Sequence, residues 1–204
     1  MTYYPDTANL YPNATSVTVT TGPTTRAVTM AEAVQQLRLD DIDEQNPYVE
    51  LLIDGVIGDI EATYDLALIT QTITEKFPCF PSGAGALRLR KAPLLAITSI
   101  SYIDSDGATQ TWSSSEYTSG TYNGRGFVVS KVDYEYPTDL VIRPDAVTVV
   151  YTAGFGATPD TVPRPIKIGA LLMIADLHAN PTNPVRNLPQ LSERFLQRYY
   201  PWGK

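Results

Sequence analysis

Apolar and polar positions change period twice along this chain. Up to residue 25 they follow no helical spacing: Thr, Pro and Tyr dominate, and only the alternating run from Ser16 to Thr21 looks like a strand. Residues 1–25 therefore read as an N-terminal arm. Thr29-Met-Ala-Glu32 is a capping box, in which the threonine hydroxyl accepts from the Glu32 N–H and the glutamate reaches back to the N-cap. Met30, Ala33, Val34 and Leu37 follow at i, i+3, i+4 and i+7, which predicts a helix over 29–40. Asn46 as cap with Pro47 in the first helical position opens a second helix. Val49, Leu52, Ile53, Val56, Ile57, Ile60, Tyr64, Ala67 and Leu68 carry the helical period onward and predict that helix over 46–69. Gly55 and Gly58 interrupt it, each at up to about 1 kcal/mol relative to Ala. They suit close packing against a neighbour.

From Gln71 the period falls to two, and Thr, Val, Ile and Tyr run between Gly, Pro, Ser and Asp punctuation. Residues 71–156 read as an antiparallel sheet region, with strands expected over 86–90, 97–103, 108–112, 125–130 and 146–152. Asp104-Ser-Asp-Gly107 supplies a hairpin turn. Pro163 and Pro165 open a third helix over 163–179 that stops at Asn180-Pro181, and Leu191, Phe195 and Tyr199 mark a fourth over 188–200. The order predicts an α+β fold, a small bundle of about four helices with an antiparallel β-sheet insertion between the second and third. On this reading the main domain spans 26–180, and 181–204 form a C-terminal helix and tail.

At 204 residues the chain can bury one self-sufficient core. Its 22 acidic and 15 basic side chains give a net charge of -7, which argues against a general nucleic-acid binder, since such proteins neutralise phosphates with clustered Lys and Arg. A single cysteine, Cys79, and a single histidine, His178, argue against a disulfide scaffold and a soft-metal site. Neither a signal peptide nor a membrane span is expected, because no apolar run is long enough.

Chemistry-bearing motifs are few in this sequence. Ser82-Gly-Ala-Gly-Ala86 lacks the Gly-Lys-Ser/Thr end of a phosphate loop and precedes a strand. Asp104-Ser-Asp-Gly107 lacks the remaining spacing of a calcium loop, with Ser115 where a glutamate is needed. His178 has no nucleophile or carboxylate signature beside it and reads as a helix C-terminal residue meeting the macrodipole. Cys79, with no basic residue closer than Lys76, reads as a small hydrophobe. No catalytic, cofactor or metal residue is assigned.

Charge segregation is the stronger signal. No basic residue falls between Arg38 and Lys76, whereas Asp40, Asp41, Asp43, Glu44, Glu50, Asp54, Asp59, Glu61, Asp65 and Glu75 do. On a helix at about 100° per residue, Glu50, Asp54, Glu61 and Asp65 fall within roughly 60° of one another, as an acidic stripe beside the apolar face. Such a stripe is either a solvated face or a surface that repels DNA or meets a basic partner. The C-terminus is the opposite: Arg194, Arg198, Tyr199, Tyr200 and Trp202 have the composition of an interface anchor, although Phe195 and Tyr199 can equally close the chain's own core.

Taken in order, several segments resemble one family. They are 28–39 (Val-Thr-Met-Ala-Glu-Ala-Val-Gln-Gln-Leu-Arg-Leu), Leu66-Ala-Leu-Ile-Thr-Gln-Thr72, Phe77-Pro78, Lys91-Ala-Pro-Leu-Leu95, Ser99-Ile-Ser-Tyr102, Asp104-Ser-Asp-Gly107, and Tyr151-Thr-Ala-Gly-Phe-Gly156 with Val162-Pro-Arg-Pro165. Over 26–180 the chain resembles the head-tail connector, or head-completion adaptor, proteins of long-tailed phages and gene transfer agents. The resemblance implies a non-enzymatic virion protein, made in the bacterial host cytoplasm and located at the neck. It implies a homo-oligomeric ring, usually dodecameric, docked on the portal protein and presenting a platform to a stopper or tail-terminator protein. DNA would pass through the ring during genome ejection without specific binding. Glu50, Asp54, Glu61 and Asp65 are then candidates to face the channel, and Arg194, Arg198, Tyr199, Tyr200 and Trp202 to grip a partner ring. The alternative is a tail or baseplate module that recognises carbohydrate or a host surface through Tyr117, Tyr122, Tyr134 and Tyr136. A hydrolase is more remote, since no pair of catalytic carboxylates stands out.

Overall fold

A computed structural model describes residues 12–39, 46–83, 85–181 and 190–199. Asp40, Asp41, Asp43, Glu44, Tyr200 and Trp202, singled out above, lie outside them. Two compact units divide the chain, one drawn from 1–22 and 71–154, the other from 23–70 and 155–204.

The first unit is all antiparallel β. Its strands are β1 (Ser16–Thr21), β2 (Gln71–Phe77), β3 (Leu87–Arg88), β4 (Leu94–Ile103), β5 (Thr109–Thr111), β6 (Tyr117–Tyr122), β7 (Arg125–Ser130) and β8 (Val147–Ala153). Five of them form one sheet in the order β1-β2-β8-β4-β5, and three form another, β3-β7-β6. The strand within the N-terminal arm is thus the edge of the larger sheet, paired with β2 from Ser16 opposite Lys76 onward. Strict alternation on β2 and β8 buries every second side chain, Gln71, Ile73, Glu75 and Phe77 on one strand and Val147, Val149, Tyr151 and Ala153 on the other. Register shifts between Leu94 and Ala96 and between Ile97 and Ser99 interrupt β4 against β8. Along this strand Ile100 is fully buried while Leu95 is 52% exposed.

In the β6–β7 hairpin, Asn123 and Gly124 take positive φ values of 51° and 79°, the backbone an Asn-Gly turn requires. Gly120 sits opposite Phe127, and a Cβ placed there would come within 2.5 Å of the Phe127 ring. Asp104 closes the β4–β5 turn, its two carboxylate oxygens accepting from the Ala108 N–H at 2.8 Å and the Gln110 amide at 2.7 Å.

The second unit is helical: α1 (Met30–Leu37), α2 (Pro47–Thr63), α3 (Arg164–Ala179) and α4 (Gln190–Leu196), the last running into a 3-10 turn, Gln197–Tyr199. α3 packs against the other three. Both helix starts follow the sequence: the Thr29–Glu32 capping box is complete, and the Asn46 side chain accepts from the Tyr48 N–H at 2.9 Å. The ends do not. α1 stops at Leu37, where Arg38 turns left-handed. α2 stops at Thr63 rather than 69, because Asp65 takes a positive φ of 50° and the Glu61 carboxylate accepts from the Leu68 N–H at 2.7 Å. Tyr64, Ala67 and Leu68 are still buried, in a turn beyond the helix. Among the described residues nothing lies within 4 Å of a Cβ built at Gly55 or Gly58, so close packing against them does not explain these glycines. The close approach is at Gly169 of α3, where a Cβ would lie 3.3 Å from Leu196 of α4.

Candidate interaction surfaces

The acidic face of α2 is partly compensated. Glu50 and Asp54 lie one turn apart, and Arg26 reaches both: its Nε and Nη2 donate to the two Asp54 oxygens at 2.8 and 3.1 Å, and Nη1 donates to Glu50 at 3.4 Å. These contacts with Asp54 and Glu50 outweigh slight desolvation and raise the guanidinium further above its already high range. All three side chains are about half exposed, so the network is worth well under 1 kcal/mol per pair. Its effect is on charge: two carboxylates and one guanidinium leave a net of about -1 at that point. Glu61 lies along the same helix and spends one oxygen on the Leu68 N–H. Asp65 falls two residues past the helix end, so the face that α2 itself presents carries three of the four acids. Arg26 lies just ahead of α1, more than twenty residues from its partners, and charge counting over 38–76 does not include it.

Another cation reaches the helical unit from α3. Lys167 donates to Glu32 at 2.6 Å, tying α3 to the capping box of α1. Partial burial works against the Glu32 charge, but Lys167 and the Thr29 N–H and hydroxyl outweigh it and hold the carboxyl below its ordinary range.

At the C-terminus the structure separates residues that share a composition. Ser192 and Leu196 are buried, whereas Arg194 and Arg198 are exposed. Tyr199 meets Phe155 edge to face, with ring centroids 6.3 Å apart, and the Arg198 guanidinium lies 5.9 Å from the Tyr199 ring centre. His178, in the last turn of α3, lies 6.1 Å from the Tyr48 ring.

In the β unit the tyrosines also divide. Tyr117 and Tyr136 belong to an aromatic cluster built on Trp112, whose ring centre lies 4.9 Å from Tyr117, 5.4 Å from Tyr136 and 5.2 Å from Phe80. The Tyr136 hydroxyl is committed to the Gly85 carbonyl at 2.7 Å. Only Tyr122 and Tyr134 remain as exposed rings. Beside the cluster a groove of about 1000 Å³ opens, lined by Cys79, Phe80, Tyr134, Tyr136, Leu140 and Ile142 among others. Nothing in the sequence marks it, because its walls come from the 78–83 and 130–142 segments, far apart and without periodicity. Cys79 is half-buried there, and burial pushes its thiol up, away from the reactive thiolate.

Glu75, counted above among the acids of the 40–75 run, is fully buried on the core face of β2. Its Oε1 accepts from the Tyr151 hydroxyl, the Arg90 N–H at 2.9 Å and the Lys91 N–H at 3.4 Å. Oε2 has no partner among the described residues. Burial raises this carboxyl against the opposing pull of Tyr151, the two N–H groups and the Arg90 charge. It is a structural acid holding the 89–91 segment against the sheet. Among the described residues no group of three or more His, Cys, Asp or Glu side chains is placed to hold a metal ion, and no helix is long and apolar enough to cross a membrane.

No family model matches this sequence, and no curated protein matches it. Solved structures do. The chain matches one from the neck of an empty gene transfer agent particle computed with C6 symmetry, at a TM-score of 0.75 and 18% identity over 91% of this chain and 95% of that one. It shares the fold of a gene transfer agent neck protein. A chain from the virion of a native gene transfer agent particle matches at 0.73 and 18% identity, over 90% and 94% of the two chains. A third, from a native neck computed with C12 symmetry, matches at 0.66 and 17% identity, over 88% and 94%. The shared fold is consistent with the head-tail connector resemblance carried by residues 26–180.

Proposed function

We propose that this chain is a structural protein of the virion neck, forming a ring adaptor at the head-tail junction between the portal and the stopper or tail. The observation that carries this reading is the fold match to the gene transfer agent neck, which spans nearly the whole of both chains. The motifs between residues 26 and 180 support the same role from the sequence side. On this reading the β unit is an insertion between α2 and α3, a dodecameric ring surrounds a channel through which DNA passes without specific binding, and the task is mechanical. Glu50, Asp54, Glu61 and Asp65 face the channel, where like charge lowers phosphate affinity. The local compensation by Arg26 makes that wall weakly rather than strongly acidic. Arg194, Arg198, Tyr199, Tyr200 and Trp202 contact the portal ring. The alternative of a glycan-binding tail module loses support from Tyr117, which is buried against Trp112, and from Tyr136, whose hydroxyl is committed to the Gly85 carbonyl.

Mixing the purified chain with its own portal protein tests the reading. Closed rings seated on the portal are expected by electron microscopy. The variant Arg194→Glu with Arg198→Glu is expected to lose portal attachment while keeping its melting behaviour, because both side chains are exposed and Leu196, which packs α4 on α3, is untouched. Attachment unchanged by both charge reversals would remove the C-terminal segment from the portal contact. Failure of the unmodified chain to form rings on the portal would sink the adaptor reading itself.

A further inference from the structure

We infer that the groove beside the Trp112 cluster binds an extended, proline-rich segment of a partner protein that carries basic residues at one end. The inference concerns the β unit alone and stands whether or not the neck reading does. Three observations carry it.

The first is that the groove is already built. The Phe80 ring stacks on Tyr136, with centroids 5.7 Å apart and planes 27° from parallel, and both rings pack on Trp112. The Tyr136 hydroxyl donates to the Gly85 carbonyl at 2.7 Å and accepts from the Ser130 N–H at 3.3 Å. Pro78, Pro81 and Pro137 stiffen the two wall segments. A wall held in this way loses little freedom when a ligand arrives, so more of the contact energy appears as affinity. Yet Tyr134 is 46% and Ile142 82% exposed, which leaves apolar surface of the same groove in water.

The second is the chemistry of the lining. Phe80, Tyr134 and Tyr136 with Leu140 and Ile142 offer the aromatic and aliphatic surface on which pyrrolidine rings pack, and a polyproline II segment enters such a groove with its backbone already ordered. The carbonyls of that segment have no internal partners and need donors, which the hydroxyls of Ser82, Tyr134 and Thr138 can supply. A volume of about 1000 Å³ has room for several residues of chain. A sugar, with hydroxyls all round its ring, calls for amide and guanidinium partners, and no Asn, Gln or Arg side chain is found among the described lining residues.

The third is charge. Glu135 is the only charged side chain among the described lining residues, and Asp133, two positions away, is exposed. The cations of the neighbouring chain are engaged. Lys131 donates to the Ser115 carbonyl at 2.6 Å, and Arg143 donates to both Asp145 oxygens at 2.5 and 3.1 Å. An acidic end on an apolar groove selects Lys or Arg in its partner and disfavours acidic peptides and phosphates.

Two fluorescein-labelled peptides with the same body, Pro-Pro-Leu-Pro-Pro, one ending in Arg-Arg and the other in Glu-Glu, test the inference by anisotropy titration with the full chain at low salt. The arginine peptide is expected to bind saturably and about tenfold or more tighter than the glutamate peptide. Asp133→Lys with Glu135→Lys is expected to reverse that preference. Tyr134→Ser with Ile142→Ser is expected to weaken both peptides about tenfold or more while keeping the melting behaviour, since both side chains are exposed. Cys79 lines the groove and is the chain's one cysteine, so its reaction with a chromogenic disulfide reagent is expected to slow as the arginine peptide saturates. No saturable binding of either peptide at millimolar concentration overturns the inference, as do equal affinities for the two peptides. Binding that leaves the Cys79 rate unchanged overturns it by placing the peptide elsewhere. Protection of Cys79 that grows with protein concentration in the absence of peptide overturns it by assigning the groove to a second copy.

Discussion

Replacing Glu75 by leucine is expected to cost the β unit about 3 kcal/mol, the order expected when buried donors lose their acceptor. The substitution strips the acceptor from the Arg90 N–H and from the Tyr151 hydroxyl at once, and leaves the Lys91 N–H with the Tyr151 hydroxyl alone. Glu75→Gln is expected to behave differently. Its amide oxygen can accept the same three bonds, and it carries no charge to desolvate. The two variants separate through pH. Burial raises the Glu75 carboxyl in the folded chain, so folding favours the protonated acid. That contribution is complete below the carboxyl's ordinary range and is lost as pH rises through its higher value in the fold. Chemical denaturation at a series of pH values should therefore show the unmodified chain losing stability over that window relative to Glu75→Gln, with the gap closing again under acid conditions. Parallel pH profiles for the two proteins would contradict this account of Glu75.

Trp112→Ala is expected to destabilise by about 3–5 kcal/mol, the range for removing a fully packed large aromatic. Trp112 is 2% exposed and touches Phe80, Tyr117 and Tyr136, so truncation opens a cavity bounded by three rings that are themselves held by other contacts. Its indole Nε1 has no hydrogen-bond partner among the described residues. Trp112→Phe forfeits part of the ring volume but no hydrogen bond, and should cost distinctly less than Ala because the cavity it leaves is smaller. Denaturant midpoints of the two variants check the contrast, followed by circular dichroism so that the signal does not depend on the tryptophan. Similar losses for Ala and Phe would mean that the indole edge, not the packing of the cluster, holds this part of the β unit together.

The sequence was most legible where local chemistry decides structure. The Thr29–Glu32 box and the Asn46-Pro47 pair mark helix starts because their bonds close within three residues. Helix ends were less readable. The apolar period runs on through Tyr64, Ala67 and Leu68 because that turn is buried too, and burial alone does not distinguish a helix from a packed turn. β7 was found at its exact bounds, since Val and Phe dominate it, but β6 was not, as Thr, Ser and Gly give no apolar alternation. Glu75 could have been found: it keeps the period of two with Gln71, Ile73 and Phe77, and the acidic run concealed a core position. Arg26 and the groove lay beyond reach, because they are made by residues distant in sequence and brought together only by folding.

The connector reading rests on a fold shared over nine-tenths of the chain at 18% identity, together with short motifs in matching order. Fold by itself does not fix function, so location must be measured. Electron cryomicroscopy of the particle that carries this protein, reconstructed at the neck, tests the claim most directly. The account predicts a closed ring of this fold between portal and tail, with Glu50, Asp54, Glu61 and Asp65 towards the DNA channel. Density for the chain at the baseplate or tail tip, or nowhere in the particle, would contradict it.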